Sequence, residues 1–442
     1  MKKRYLLMMG LLAVGILCLT RQIKERAEGI VAAGNTPMTR EEVLQTADRM
    51  AASYDYDNAI ILLQSLPGYQ QDVGLNQKVQ GYEMAQSACV AIRPQEVTHI
   101  FYHSLVVDPG QGFAGDQGAG FSQWMTTLEE FNRITQQMYD NGYVLVRMRD
   151  LVEQTVDADG TVHFTEKEIL LPPGKKPFVL SLDDLCYYHS YEGHGMADKI
   201  VLDEEGNPKC EYIQADGTAA VGNYDCVPLL DAFIEAHPDA SYRGAKGMIA
   251  LTGYNGILGY RTDSSYRDQP EDLYEDKKAW LAAHPDYCWE NECEQAQKVA
   301  QAMMEDGWEF ASHTWGHRHI AQITLEELKE DTEKWMENVA PLIGGSDTII
   351  FAHGEDLGDW HEYSPDNEKY RYLKEMGFHF FCNVDSSPYF LQIRDDYVRQ
   401  GRRNLDGYRL FQDKYGDQNR TIDLFDVNQV YDERRPPVPE LS

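Results

Sequence analysis

Residues 324–353 read TLEELKEDTEKWMENVAPLIGGSDTIIFAH, and this stretch contains the unit from which the fold is built. Thr324, with Glu327 three positions later, forms a capping box, which predicts that a helix begins here. Gly344-Gly345 ends that helix, because glycine adopts the left-handed conformation of a helix C-cap without steric cost. The apolar run 348–352 then predicts a strand, and a histidine follows it directly. The unit is therefore a helix, a glycine, a strand and a polar residue.

The same unit recurs along the chain. Predicted helices at 127–141, 294–306 and 366–376 each run into a glycine and then a short apolar strand. The run 178–182 predicts a further strand that is buried on both faces. Alternating helices and strands predict a parallel α/β sheet, either open or closed into a barrel. In such sheets the catalytic and ligand-binding residues lie at the carboxyl ends of the strands.

Polar, titratable residues stand at several of these predicted strand ends. Asp183-Asp184 follows the strand 178–182, and His313 and His353 each follow a later strand. Adjacent residues of an extended chain point in opposite directions, so one carboxylate can face a metal ion and the other a substrate. His313 and His317 are four residues apart, a spacing that places two imidazoles on one face of a helical turn, where they can hold one ion. We therefore expect a metal site at this edge of the sheet.

The N-terminal part of the chain predicts export. Met1-Lys2-Lys3-Arg4 and the apolar run 5–20 form the basic head and the apolar core of a secretory signal. Residues 1–26 are thus predicted to be either a cleaved signal peptide or a retained anchor that holds the protein to the outer face of the cytoplasmic membrane through residues 5–20. Helical stripes within 27–95 predict a small helical region that resembles a tetratricopeptide hairpin, with residues 38–93 as a docking surface for protein.

Two further segments interrupt the α/β pattern. Residues 189–245 read as an inserted hairpin followed by a helix, and inserts after a strand commonly shape the substrate cleft. Residues 432–442 are rich in proline and are predicted to form a loose tail. The catalytic domain is accordingly predicted to span 96–431.

The charge of the chain limits its partners. Lys and Arg number 40 and Asp and Glu number 72, which gives a formal net charge of −32. So acidic a surface repels phosphate backbones, and nucleic acid is therefore not expected as a partner. A neutral or cationic partner is accommodated more easily.

The two motifs together resemble those of the polysaccharide deacetylase family, carbohydrate esterase family four. The first family motif, T-F-D-D-G, resembles Ser181-Leu182-Asp183-Asp184-Leu185, and the second, H-[S/T]-x-x-H, is matched fully by His313-Thr314-Trp315-Gly316-His317. Tyr102-His103-Ser104 is similar to the first-strand Y-H-S of the family. The resemblance covers most of 96–400. It implies a distorted (β/α) barrel with fewer than eight strands, here preceded by the small helical segment.

The resemblance also implies roles for these residues. Asp183 would be the general base, and Asp184, His313 and His317 would hold a divalent metal ion, with Zn²⁺ expected and Co²⁺ as the alternative. Two imidazoles and one carboxylate leave open positions on such an ion for water and a carbonyl oxygen. The implied activity is hydrolysis of N-acetyl groups on an exported or cell-surface polysaccharide, either peptidoglycan or another glycan that contains N-acetylglucosamine.

The sequence departs from the family pattern at three places. Leu185 stands where the first motif has glycine, and residues 351–356 lack the arginine that orients the base in the family. No histidine follows His379, where the family has its general acid. We hypothesise that His353 replaces this acid or contacts substrate, the alternative being a loop histidine bonded to Glu355 or Asp356. Four arginines are candidates for the missing cation: Arg394, Arg399, Arg402 and Arg403.

These departures leave two other functions open. One is a catalytically impaired deacetylase-like protein that binds carbohydrate or a protein partner. The other is an esterase that removes O-acetyl groups from a polysaccharide with the same site.

Overall fold

The computed structural model describes residues 38–358, 361–385 and 387–440. The predicted signal peptide or membrane anchor at 1–26 lies outside these residues. Within the described ranges, no helix is both long enough and apolar enough to span a bilayer.

Seven parallel strands close into a barrel. In chain order they are β1 (Thr98–Tyr102), β2 (Lys176–Asp183), β3 (Met248–Leu251), β4 (Glu309–Ser312), β5 (Thr348–Ile350), β6 (Phe380–Val384) and β7 (Val398–Asn404). Each strand pairs with the next one in the chain. The last strand then pairs with the first through Arg403 and Ile100. The sequence left an open or a closed sheet possible, and the closed (β/α) barrel with fewer than eight strands is confirmed.

The helices between the strands bury the apolar stripes that the sequence predicts. The longer ones are Leu128–Asp140, Cys226–Ala236, Trp289–Glu305, Leu325–Asn338, Glu368–Glu375 and Gly407–Tyr415. In the first of them Phe131, Ile134 and Met138 share one face and join the same core as Leu180 and Leu182 of β2. The predicted capping box at Thr324 is present, and Thr127 forms another at the start of its helix. Helix starts and buried faces therefore agree with the local sequence.

Shorter elements complete the barrel unit. The short helices are Pro109–Gly112, Gly118–Trp124, Ser264–Asp268, Glu275–Ala283, Ala340–Ile343 and Val427–Val430. The strand Tyr143–Leu145 pairs with β2, the strand Leu391–Ile393 pairs with β7, and Val152–Val156 and Val162–Glu166 form a hairpin. The insert contains the predicted hairpin, whose strands are Lys199–Leu202 and Pro208–Ile213, and a third strand, Ala219–Gly222, that was not predicted.

The helical region forms a compact unit of its own. Its helices are Arg40–Ala52, Tyr56–Gln64 and Val73–Ser87, and the unit ends at Ala91. It also includes 170–175 and 237–244, two segments that the sequence places in the predicted domain 96–431, the second of them within the predicted insert 189–245. Tyr54 accounts for one of these additions, because its hydroxyl donates to the carbonyl of Asp239 at 2.8 Å. Such a distant partner leaves no local pattern. A docking role for 38–93 stays a prediction.

The C-terminal segment is held more firmly than predicted. Arg435 and Glu130 are both fully buried, and the guanidinium donates to both carboxylate oxygens at 2.5 and 3.1 Å. Arg435 also donates to the carbonyls of Ser122 and Met125, each at 2.9 Å. The loose tail predicted for 432–442 is therefore wrong around Arg435, because the prolines gave no sign of the buried carboxylate that this arginine reaches.

Arg435→Met is expected to lower the free energy of unfolding by about 3–5 kcal/mol, because it leaves the Glu130 carboxylate buried without its cation. The matched control is Arg434→Met, since Arg434 pairs with Asp432 but its side chain is 59% exposed. That change is expected to cost less than about 1 kcal/mol. Urea denaturation followed by tryptophan fluorescence measures both. Equal unfolding midpoints for Arg435→Met and the wild type would contradict the assignment.

Candidate metal centre

The predicted site residues lie at one end of the barrel. Asp183 is the last residue of β2, and His313 directly follows β4. All the barrel strands run parallel, so their carboxyl ends lie at the same rim. Asp183 and His313 therefore lie at the carboxyl ends of parallel strands, as the sequence predicts.

The structure brings the three predicted metal ligands together. One ligand atom each from Asp184, His313 and His317 lies within 4.8 Å of the others. The distance between His317 Nε2 and Asp184 Oδ2 is 3.5 Å. His313 Nδ1 donates to the carbonyl of Ile350 at 2.7 Å, which leaves Nε2 as the unprotonated nitrogen of the neutral ring. Two imidazole nitrogens and a carboxylate oxygen form a donor set that fits a zinc-like ion with open positions.

The backbone at these ligands is unusual. Asp184, Thr314 and His317 have φ angles of 60°, 63° and 51°, the left-handed region that few residues other than glycine adopt. Such conformations cost free energy and persist where the surroundings enforce them. Leu185, which replaces the motif glycine, is fully buried and is not among the residues with positive φ. The turn therefore places its left-handed residue at Asp184 and tolerates a leucine.

A buried carboxylate fixes the loop between the two histidines. Asp331 accepts the backbone N–H groups of Trp315 and Gly316 at 2.6 and 2.8 Å. It lies on the helix Leu325–Asn338, on the face that also buries Leu328 and Trp335. The sequence analysis missed Asp331, although an acidic residue at an apolar position of an amphipathic helix is a usable signal. This helix thus positions the ligand loop.

An arginine holds the carboxylate of Asp183. Arg402 on β7 donates to Asp183 Oδ1 at 2.6 Å and to Oδ2 at 3.0 Å, and both side chains are buried. Burial raises the pKa of Asp183, but the charges of Arg402 and His313 more than offset this and bring the pKa down to about 2. The carboxylate is therefore ionised at neutral pH.

The sequence left four arginines open for this role, and the structure selects one. Arg394 pairs with Glu362, Arg399 with Asp356, and Arg403 with Asp423. Only Arg402, among the four, forms an ion pair with Asp183. The cation therefore comes from the last barrel strand and not from the region 351–356.

His353 lies beside the metal ligands. It is exposed, its Nε2 donates to the carbonyl of His317 at 3.1 Å, and its ring stacks on His319 with centroids 3.6 Å apart. Glu355 bonds His319 and Asp356 bonds Arg399, so neither acid is the recorded partner of His353. The alternative of a loop histidine bonded to those acids is therefore not what the structure contains.

His103 is a weaker sequence-based candidate than His353 for the missing acid, and its surroundings in the structure strengthen that candidacy. It follows β1, and its Nδ1 is buried with no hydrogen-bond partner among the described residues. Burial acts most strongly on the pKa of Asp183 and of Asp184, and it raises both. The charge of Arg402 then lowers the pKa of Asp183 most, that of His317 lowers the pKa of Asp184 most, and the His103 ring adds a smaller lowering of each. An unpartnered imidazole nitrogen thus stands within electrostatic reach of both carboxylates.

The comparisons with known proteins match part of this site. The family model described as Polysaccharide deacetylase matches residues 283–354, which contain His313, His317 and His353. A comparison with curated proteins finds no match. Among solved structures, the Streptococcus pyogenes deacetylase PplD in complex with acetate aligns at 11% identity and a TM-score of 0.34, over 73% of this chain and 98% of that chain. A TM-score this low does not establish a shared fold.

The family match confirms the resemblance to the polysaccharide deacetylases that the motifs predict. The match supports polysaccharide deacetylase activity, that is, hydrolysis of acetyl groups carried by polysaccharides.

The metal site is tested without any substrate. The wild type is expected to bind one Zn²⁺ per chain, and His317→Ala to weaken binding about 100-fold or more, because one of three protein ligands is lost. His284→Ala is the control, since His284 is exposed and lies outside the cluster. Isothermal titration calorimetry measures both. Unchanged affinity in His317→Ala would remove this histidine from the site.

Proposed function

We propose that the protein is an exported, metal-dependent hydrolase that removes N-acetyl groups from peptidoglycan or another glycan containing N-acetylglucosamine. The observation that carries the proposal is the ionised Asp183, held by Arg402 at 2.6 Å beside the cluster of Asp184, His313 and His317. The neutral sugar substrate and the cationic amine product both suit a chain of net charge −32. Export rests on residues 1–26, with anchoring through 5–20 as one of its two forms.

The three ligands Asp184, His313 and His317 would hold the ion, with Zn²⁺ expected. A bound divalent ion supplies Lewis acidity, which polarises an acetyl carbonyl and makes water easier to deprotonate. Asp183 accepts the proton of the attacking water, and Arg402 fixes the plane in which its oxygens lie. The fixed tautomer of His313, set by the carbonyl of Ile350, keeps Nε2 available to the ion.

His103 and His353 are the candidates for two further roles, protonation of the leaving amine and contact with the substrate. Breaking the carbon–nitrogen bond requires a proton for the leaving amine. His103 is suited to donate it, because it directly follows β1 at the rim that carries Asp183 and its Nδ1 has no hydrogen-bond partner among the described residues. His353 is exposed and its Nε2 is engaged by the carbonyl of His317, a position that suits contact with substrate. His103 is therefore proposed as the proton donor to the leaving amine, and His353 as a residue that contacts the substrate.

The pairing of Arg402 with Asp183 bears on the rival reading of an impaired, carbohydrate-binding protein. That alternative drew on the absence of a base-orienting arginine from 351–356. Arg402 supplies such a cation from another strand, which favours the enzyme.

Acetate release tests the activity. Residues 38–442 loaded with Zn²⁺ are expected to release acetate from chitooligosaccharide or peptidoglycan, and Asp183→Asn to reduce kcat about 100-fold or more, since a general base contributes that much. Unchanged Zn²⁺ affinity in Asp183→Asn serves as the control for an intact site. An O-acetylated glycan in parallel separates N-deacetylation from esterase activity. If wild type and variant are equally inactive on every glycan while Zn²⁺ binds, the enzyme proposal fails.

The two histidines are separated by steady-state kinetics. His103→Ala is expected to lower kcat about 100-fold with little change in KM, because a proton donor acts in the transition state. His353→Ala is expected to raise KM and to change kcat by less than about tenfold, because it removes ground-state contact with substrate. The reverse pattern would exchange their roles, and wild-type constants for His353→Ala would exclude it from the site.

A further inference from the structure

A row of polar side chains lies inside the barrel below Asp183. His99 on β1, Ser181 on β2 and Gln400 on β7 are all buried, at no more than 1% exposure. These strands are neighbours in the barrel, since β1 pairs with both β2 and β7. Barrel interiors are normally filled by branched apolar residues, so a polar row there has a desolvation cost unless its groups pair with one another.

The hydrogen bonds of this row have one direction. Gln400 Nε2 donates to the carbonyl of Val97 at 3.1 Å, so its Oε1 is the atom that faces His99. His99 Nδ1 therefore donates to that oxygen at 3.1 Å, and a neutral ring then has Nε2 as an acceptor. Ser181 Oγ lies 3.0 Å from His99 Nε2 and donates to it.

The row ends at the arginine that holds the catalytic base. With its proton directed at His99, Ser181 Oγ presents lone pairs, and Arg402 Nη1 donates to them at 3.1 Å. The Arg402 guanidinium also lies 4.2 Å from the centre of the Phe101 ring. Its Nε has no hydrogen-bond partner within the described ranges. Ser181 and Asp183 therefore fix the direction in which the guanidinium points.

We propose that His99 and Ser181 are positioning residues, which orient Arg402 and through it the carboxylate of Asp183. The effect expected on turnover rests on the proposed deacetylase function, whereas the hydrogen-bond order does not. Neither residue touches the metal ligands. They act by restricting Arg402 to one arrangement, in which both Nη atoms face Asp183.

The protonation state of His99 agrees with this role. Burial, together with the nearby charge of Arg402, lowers the pKa of His99 to about 3. The ring therefore stays neutral at physiological pH and keeps Nε2 free to accept from Ser181. If the hydrogen bonds ran in the opposite direction, the proton of His99 would be on Nε2. Gln400 Oε1 would then face an unprotonated Nδ1, and neither atom could donate.

The kinetic test uses a pair of substitutions at one position. Ser181→Ala is expected to lower kcat about tenfold or more with KM and Zn²⁺ affinity within about twofold, because it frees Arg402 without touching the ligands. Ser181→Thr is expected to keep the turnover of the wild type, in contrast to Ser181→Ala. Threonine retains the hydroxyl group and is the residue of the family motif at this position. Thr348→Val is the control, a buried hydroxyl removed from β5 away from Asp183. A Ser181→Ala enzyme with the kcat of the wild type would overturn the proposal.

A second measurement needs no activity. Nitrogen-15 NMR of the histidine side chains is expected to show His99 neutral, with the proton on Nδ1, throughout about pH 6 to 8. In Ser181→Ala the Nε2 resonance is expected to shift, because its donor is gone, while the resonances of the exposed His284 stay in place. A proton on Nε2 in the wild type would overturn the proposed order. If the wild type releases no acetate from any glycan, the deacetylase proposal fails, and this spectrum still decides whether the hydrogen bonds from Gln400 through His99 to Ser181 have the proposed order.

Discussion

The buried ion pair between Arg402 and Asp183 is the interaction on which the site depends. Two opposite charges out of water are stable together only when they lie in close contact, so the pair requires that β7 and β2 stay at a fixed separation. β1 lies between them and provides that separation by pairing with both. Closure of the barrel and orientation of the Asp183 carboxylate are therefore one structural requirement, and the cluster of Asp184, His313 and His317 lies on the same rim.

Much of the fold and of the ligand set could be predicted because it follows from local order. Thr324 and Gly344 mark a helix by their own chemistry, and the strand after them needs no knowledge of its neighbours. Asp184, His313 and His317 were found because parallel strands place their carboxyl ends together whatever the loops do. The predicted metal ion and glycan stay proposals, since no geometry of the protein alone identifies them.

The features of the fold and of the site that the sequence did not predict depend on residues whose partners are distant in the chain. β7 reads Val-Arg-Gln-Gly-Arg-Arg-Asn, which has no apolar pattern, because its arginines are neutralised by carboxylates such as Asp183 and Asp356 from other strands and loops. Arg435 was missed for the same reason, since its carboxylate lies about three hundred positions earlier, at Glu130. Hydrophobic periodicity and capping motifs depend only on residues that are close in the chain. The arginines of β7 and Arg435 are explained by carboxylates that are close in space but distant in the chain.

The adjacency of the first and last barrel strands has a consequence for biosynthesis. A chain emerging from the ribosome delivers Asp183, His313 and His317 well before Arg402. Until β7 is available, β1 and β6 present unpaired edges and the carboxylate of Asp183 has no cation to hold it. A chain that stops before β7 would therefore contain Asp184, His313 and His317 but lack the cation that pairs with Asp183. Closure of the barrel has to await this last strand, because β7 pairs with both β6 and β1.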